Sequence, residues 1–88
     1  AGAVRVGITD TLGIGKPENI SSLVKFLKKD INTRLSVHLH NDFGLGTANA
    51  ISGVKAGAGA VAVTVDGMGE RAGNVSLEQF VSAMKFLY

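Results

Sequence analysis

Three apolar runs, at residues 4–9, 34–40 and 60–66, recur at roughly 25–30-residue intervals, each followed by a stretch with apolar residues at helical spacing. That order, βαβαβα, is joined by connections long enough for parallel strands and right-handed crossovers. Val4, Val6 and Ile8 share one face of the first run, and Leu35, Val37 and Leu39 share one face of the second. The third, Ala60 to Asp66, is β-branched at nearly every second position and too uniformly apolar for a solvated face. Successive right-handed crossovers place all three helices on one side of the sheet, so the other side needs a different cover. In a (β/α)8 barrel that side is the interior. The pattern therefore predicts an α/β fold: three consecutive βα units of an incomplete (β/α)8 TIM barrel, with parallel strands.

The helices carry their own signals. Pro17 fits a first helical turn, and Ile20, Leu23, Val24 and Leu27 then recur at helical spacing. A second helix, about Thr47 to Ala56, is built of small residues that permit close packing on a sheet, and Gly57 fits the position just past its end. Ser76 with Gln79 three residues later reads as a capping box, and Leu77, Phe80, Val81, Met84 and Leu87 mark the apolar stripe of a third helix.

Composition narrows the class. A chain of 88 residues allows one small domain, which buries only ~60–65% of the surface its unfolded chain exposes. With 45% hydrophobic and 18% charged residues it is globular, neither disordered nor fibrous. Its lysines are scattered around a net charge of +2, so no basic stripe for nucleic acid is present. There is no cysteine, which removes disulfides, thiolate metal sites and cysteine nucleophiles together. No apolar run reaches the ~18 residues of a membrane span, so no membrane partner is expected and a cytoplasmic location is the default. The opening Ala1-Gly2-Ala3 lacks an initiator methionine, as though the sequence began in mid-domain.

In a barrel, reactive groups sit at the C-terminal ends of the strands. Those places hold Asp10-Thr11, the run His38-Leu39-His40-Asn41-Asp42, and Asp66 to Asn74. Alternation puts His38 and His40 on one face, about 6.5 Å apart along the strand, where both imidazoles can turn onto one divalent cation. The competing structural reading is a pair of histidines hydrogen-bonded separately in the barrel wall, each needing its own buried partner. Gly67-Met68-Gly69-Glu70-Arg71-Ala72-Gly73-Asn74 has the glycines of a phosphate cradle without the Lys-Ser/Thr ending of a P-loop, and reads equally as a tight turn with a solvated Glu-Arg pair. Asn74 also suits an ordinary helix cap, and Asp10-Thr11 an ordinary turn.

Taken together, His38-Leu39-His40-Asn41-Asp42 followed by Gly44, Ala48 and Asn49, then Gly57-Ala58, then Gly67 to Asn74, with Asp10-Thr11-Leu12-Gly13 and Pro17 upstream, resemble the pyruvate-carboxyltransferase-like family. Its members include 2-isopropylmalate, homocitrate and citramalate synthases and, more distantly, hydroxymethylglutaryl-CoA lyase. The resemblance spans almost the entire chain and is strongest to the synthase branch. It implies that residues 1–88 are the C-terminal three βα units of a catalytic TIM barrel that condenses acetyl-CoA with a 2-oxo acid. It further implies that His38, His40 and Asn74 are ligands of a divalent metal, zinc, manganese or magnesium. By the same resemblance Thr11 binds the carboxylate of the 2-oxo acid, Glu70 and Arg71 are catalytic residues near the acyl-CoA, and Asp42 is a partner behind the metal ligands or a loop cap. The family's Asp-x-x-x-Arg-Glu-type element, which supplies a metal carboxylate, is upstream of Ala1. The remainder of the barrel and a further copy of the chain are therefore expected partners, and these 88 residues alone are expected to be inactive.

Two readings of other classes remain beside this one. One is an assembly piece that associates through an uncovered apolar inner face and open sheet edges. The other is a phosphate-binding barrel, or a carbon-carbon lyase of the hydroxymethylglutaryl-CoA-lyase type.

Overall fold

The structure is a computed structural model that describes residues 2–88; Ala1, where the sequence opens, lies outside the described residues. Strand β1 (Arg5–Asp10), helix α1 (Pro17–Asp30), strand β2 (Arg34–Leu39), helix α2 (Gly46–Ala56), strand β3 (Ala60–Ala62) and helix α3 (Leu77–Leu87) follow in order. The sheet has the order β1-β2-β3 and both pairings are parallel. Register sets Thr9 beside His38, and His38 beside Ala62.

Strand alternation separates two unlike faces. Ile8, Leu35, Val37 and Leu39 form one buried cluster with Ile20 and Val24 of α1 and Ala50 of α2, against which Phe80 of α3 packs. The helices therefore cover one side only. Close packing of α2 depends on Gly53, where a Cβ would stand 3.2 Å from Val37 Cγ1. The opposite face carries Arg5, Gly7, Thr9, Ser36, His38 and Ala62, exposed or half-buried. This corrects one expectation: the uncovered face is small and polar. Alternation sent the large apolar side chains to the helices, leaving the residues of a barrel interior near its rim.

Two further differences concern the third unit. The strand expected over 60–66 ends at Ala62. Val65–Gly67 form a 3-10 turn in which Asp66 takes a left-handed conformation, φ 59°. The chain there leaves the sheet to pair with the segment before α3: Thr64 N–H donates to the Val75 carbonyl and Leu77 N–H to the Thr64 carbonyl. The apolar stripe of α3 is only partly covered. Val81 and Leu87 are exposed and Phe80 and Met84 half-buried, because α2 flanks α3 on one side and, among the described residues, no further helix flanks it on the other.

Candidate metal and substrate site

The sequence places His38 as the last but one residue of β2 and His40 just past its end, and the structure brings their rings together. The imidazoles lie nearly parallel, 18° apart in plane, with centroids separated by 5.5 Å. His38 is on the open face and His40 is buried. Asn74 closes the group from the third loop: its Nδ2 lies 3.1 Å from His38 Nε2, and Asn74 forms an antiparallel bridge with His40. Asn74 is not a helix cap. That role belongs to Ser76, whose Oγ accepts the Gln79 N–H at 3.3 Å.

Two polar atoms of this group bear on a cation. His40 Nδ1 and Asn74 Oδ1 are buried without a hydrogen-bond partner, and such atoms each cost about 1–3 kcal/mol when left unsatisfied. Turning the Asn74 amide by 180° exchanges its nitrogen and oxygen, which presents Oδ1 to the side where His38 Nε2 lies. The donors are then two imidazole nitrogens and an amide oxygen, a set that suits a divalent cation of borderline softness. Among the described residues no group of three His, Cys, Asp or Glu side chains stands together. The residues fit a metal, and the set carries no anionic ligand.

The loop that holds Asn74 is shaped by glycine. A Cβ at Gly69 would collide with the Asn74 amide, and one at Gly73, which sits at φ 95°, would collide with the Gly67 carbonyl oxygen. Gly67 N–H donates to Thr64, Met68 N–H to Val65, Gly73 N–H to Glu70 and Asn74 N–H to the Gly67 carbonyl. These four amides are used inside the loop, at its two ends, and tie it into a tight fold.

The remaining predicted site residues lie around the same rim. Arg71 Nε donates to Asp42 Oδ2 at 2.6 Å, Arg71 Nη2 to Asp42 Oδ1 at 2.9 Å, and Nη2 also to the Thr11 carbonyl at 2.6 Å. The Arg71 hydrogen bonds hold the Asp42 carboxyl below its ordinary value of 3.8, against a smaller opposing effect of burial, and Asp42 raises Arg71 in turn. Asp42 thus hydrogen-bonds the Arg71 fork through both of its oxygens. Its carboxylate geometry matches the Arg71 fork better than a single ring N–H. Glu70 is exposed beside Arg71.

Two residues already singled out in the sequence, Asp10 as a turn former and Asn49 within the motif that carries the resemblance, build this rim. Asp10 accepts from Ile14 N–H at 3.2 Å and Gly15 N–H at 2.8 Å, fixing the first loop. Asn49, fully buried on α2, donates to the Gly15 carbonyl at 2.8 Å and leaves its Oδ1 unpartnered.

The chain is similar to several synthases and to a solved carboxyl transferase domain. A 2-isopropylmalate synthase of Caldanaerobacter subterraneus is 50% identical over 88 residues, all of this chain and 23% of the relative. A homocitrate synthase of Methanothermobacter thermautotrophicus is 47% identical over 87 residues, 99% of this chain and 22% of the relative. An (R)-citramalate synthase of Methanocaldococcus jannaschii is 51% identical, covering 99% of this chain and 18% of the relative. The carboxyl transferase domain of Rhizobium etli pyruvate carboxylase, solved with pyruvate and biocytin, superposes with a TM-score of 0.87 at 26% identity over 97% of this chain and 14% of that one. The chain spans about a fifth of the length of these synthases. Its three βα units are thus part of an incomplete (β/α)8 barrel. The HMGL-like family model matches residues 1–88 in full, and the chain belongs to that family, the pyruvate-carboxyltransferase-like group its motifs resemble.

Proposed function

We propose that this chain is the portion of a metal-dependent acyltransferase barrel that carries its two imidazole ligands, and that the complete barrel condenses acetyl-CoA with a 2-oxo acid. The observation behind the reading is the pair of near-parallel imidazoles at the strand ends, with His40 Nδ1 and Asn74 Oδ1 buried and unpartnered next to them. His38 has Asn74 within hydrogen-bond distance, whereas buried His40 leaves Nδ1 without a partner, a need that a cation shared with His38 would meet. Zinc, manganese or magnesium held there supplies Lewis-acid polarisation of the keto group of the 2-oxo acid.

The chain's own residues then have distinct tasks. His38 and His40 orient the ligand nitrogens, and Asn74 lends an amide oxygen beside them. Thr11, on the exposed first loop, binds the substrate carboxylate. Glu70 shapes the rim near the acyl-CoA. The anionic metal ligand and the general base come from outside residues 1–88, so this segment alone binds metal weakly and turns over nothing. Related synthases that make three different products are all 47–51% identical to it; the proposal is accordingly a substrate class, acetyl-CoA plus a 2-oxo acid, in a cytoplasmic homo-oligomer.

The test is metal content. In the full-length protein that carries this segment, the double substitution His38→Ala and His40→Ala is expected to reduce bound zinc or manganese, measured by mass spectrometry after desalting, to less than about a tenth, since loss of even an outer partner of a ligand weakens such sites by roughly 10–100-fold and loss of two ligands costs more. Undiminished metal in the doubly substituted protein overturns the assignment.

A further inference from the structure

Arg71 joins three loops that leave three different strands, and the joints are not equivalent. The second and third loops are already tied through the backbone: Asn41 N–H donates to the Gly73 carbonyl at 2.9 Å, and His40 bridges Asn74. The first loop is braced within its own unit by Asp10, and farther along, at Gly15, by Asn49 of α2. Among the described residues, the hydrogen bond that reaches Thr11 from the other two loops is the one from Arg71. The fork itself is held rigidly. Both Asp42 oxygens accept from it, and the approach of Asp42 to the first loop relies on Gly13, where a Cβ would come 2.9 Å from Asp42 Cβ. Arg71 takes a left-handed backbone conformation, φ 57°, uncommon for a residue with a side chain.

We propose that Arg71 is a positioning residue, which fixes the backbone of Thr11 through an Asp42-braced guanidinium and so sets the affinity of the site for the 2-oxo acid, without itself contacting acyl-CoA. This rests on the reading of Thr11 as the carboxylate contact. Its guanidinium nitrogens Nε and Nη2 are committed to protein acceptors, which leaves it poorly placed to bind a substrate anion. Because the second and third loops keep their backbone ties, loss of Arg71 releases Thr11 and leaves the two histidines where they are.

The experiment is steady-state kinetics of the full-length enzyme with Arg71→Lys, Asp42→Asn, the pair combined, and Thr11→Val. Lysine keeps the charge and loses the fork, and asparagine keeps the shape and loses the charged brace. The expected result is a KM for the 2-oxo acid raised by about tenfold or more in both single variants, a size typical of small misplacements. The combined variant should be no worse than either, with metal content and the KM for acetyl-CoA within about twofold of the parent. Bound metal and a thermal melt, read on each variant, separate misfolding from positioning, and Asp42→Asn carries the test if Arg71→Lys does not fold. A raised KM for acetyl-CoA, lost metal, or additive effects in the combined variant would overturn the proposal. So would a neutral Asp42→Asn. Thr11→Val separates the two layers: if it leaves the KM for the 2-oxo acid unchanged, the assignment of Thr11 fails, whereas a raised value with Arg71→Lys unaffected sinks the strap alone.

Discussion

Replacing Gly73 by alanine isolates what the glycine-rich loop is for, because Gly44 provides a control. Both glycines have positive φ, 95° and 75°, but a Cβ at Gly44 meets nothing within 4 Å, whereas one at Gly73 collides with the Gly67 carbonyl oxygen. The left-handed conformation alone costs an alanine about 1 kcal/mol, which is the whole expected effect at Gly44. At Gly73 the Gly67 carbonyl must also move. That carbonyl accepts the Asn74 N–H at 3.0 Å, and the Gly73 carbonyl accepts the Asn41 N–H at 2.9 Å. Loss of one or both of these bonds adds about 1–2 kcal/mol, for a total of about 2–3 kcal/mol. The cost is local, so the assay is amide hydrogen exchange in the full-length protein. At roughly tenfold per 1.4 kcal/mol, the 67–74 segment should exchange about 30–150-fold faster in Gly73→Ala. The segment around residue 44 should change only about fivefold in Gly44→Ala. Equal acceleration in the two variants would refute the collision argument and with it the account of how Asn74 is aimed at His38.

Two further outcomes follow from the same coordinates. Both Glu78 oxygens accept the Asp66 N–H, at 3.0 and 2.8 Å, and Oε2 also accepts from Ser76 Oγ. Backbone N–H donors, at Glu78 itself and at Asp66, are the main reason its pKa lies below the ordinary 4.5. A carboxyl lowered by folding stabilises the fold above its unfolded value, and that stabilisation is lost as pH falls through the folded one. Protection of the Asp66 amide should therefore hold down to about pH 4.5 and weaken below it, and Glu78→Gln should abolish the dependence; titration of Glu78 at or above its ordinary value would contradict this. Leu35, fully buried at the centre of the helix-facing cluster, is expected to cost about 2–5 kcal/mol on replacement by alanine, measured by denaturant unfolding.

The element order and the imidazole pair were readable from the chain because both depend on local periodicity. Alternation along 34–40 alone places Leu35, Val37 and Leu39 under the helices and His38 on the other face, as the burial shows. The end of β3 was not readable. Ala60 to Asp66 has an unbroken β-branched pattern, and what stops the strand is non-local to it: the carboxylate of Glu78, which accepts from the Asp66 amide, and the return of Val75 to pair with Thr64. The Arg71 strap was equally hidden. It joins residues 29 and 60 positions apart, and a Glu-Arg pair in a glycine loop looks the same whether solvated or bound.

The same contrast explains why a chain with nearly half its residues apolar leaves one side of its sheet polar. Of the residues that strand alternation assigns to the open face, Gly7, Thr9, Ser36 and Ala62 are small, which leaves room above them, and His38 rises at the rim end. An apolar inner face would have favoured closure by simple burial, at about 25 cal/mol per Å². A small, polar one gains little that way, and the apolar groove lined by Val61, Val63, Phe80 and Met84 lies on the helix side instead. Packing and the candidate site are thus set apart on the same three strands: the helix side holds the units together, and the other side carries His38 at its rim, next to buried His40 and Asn74.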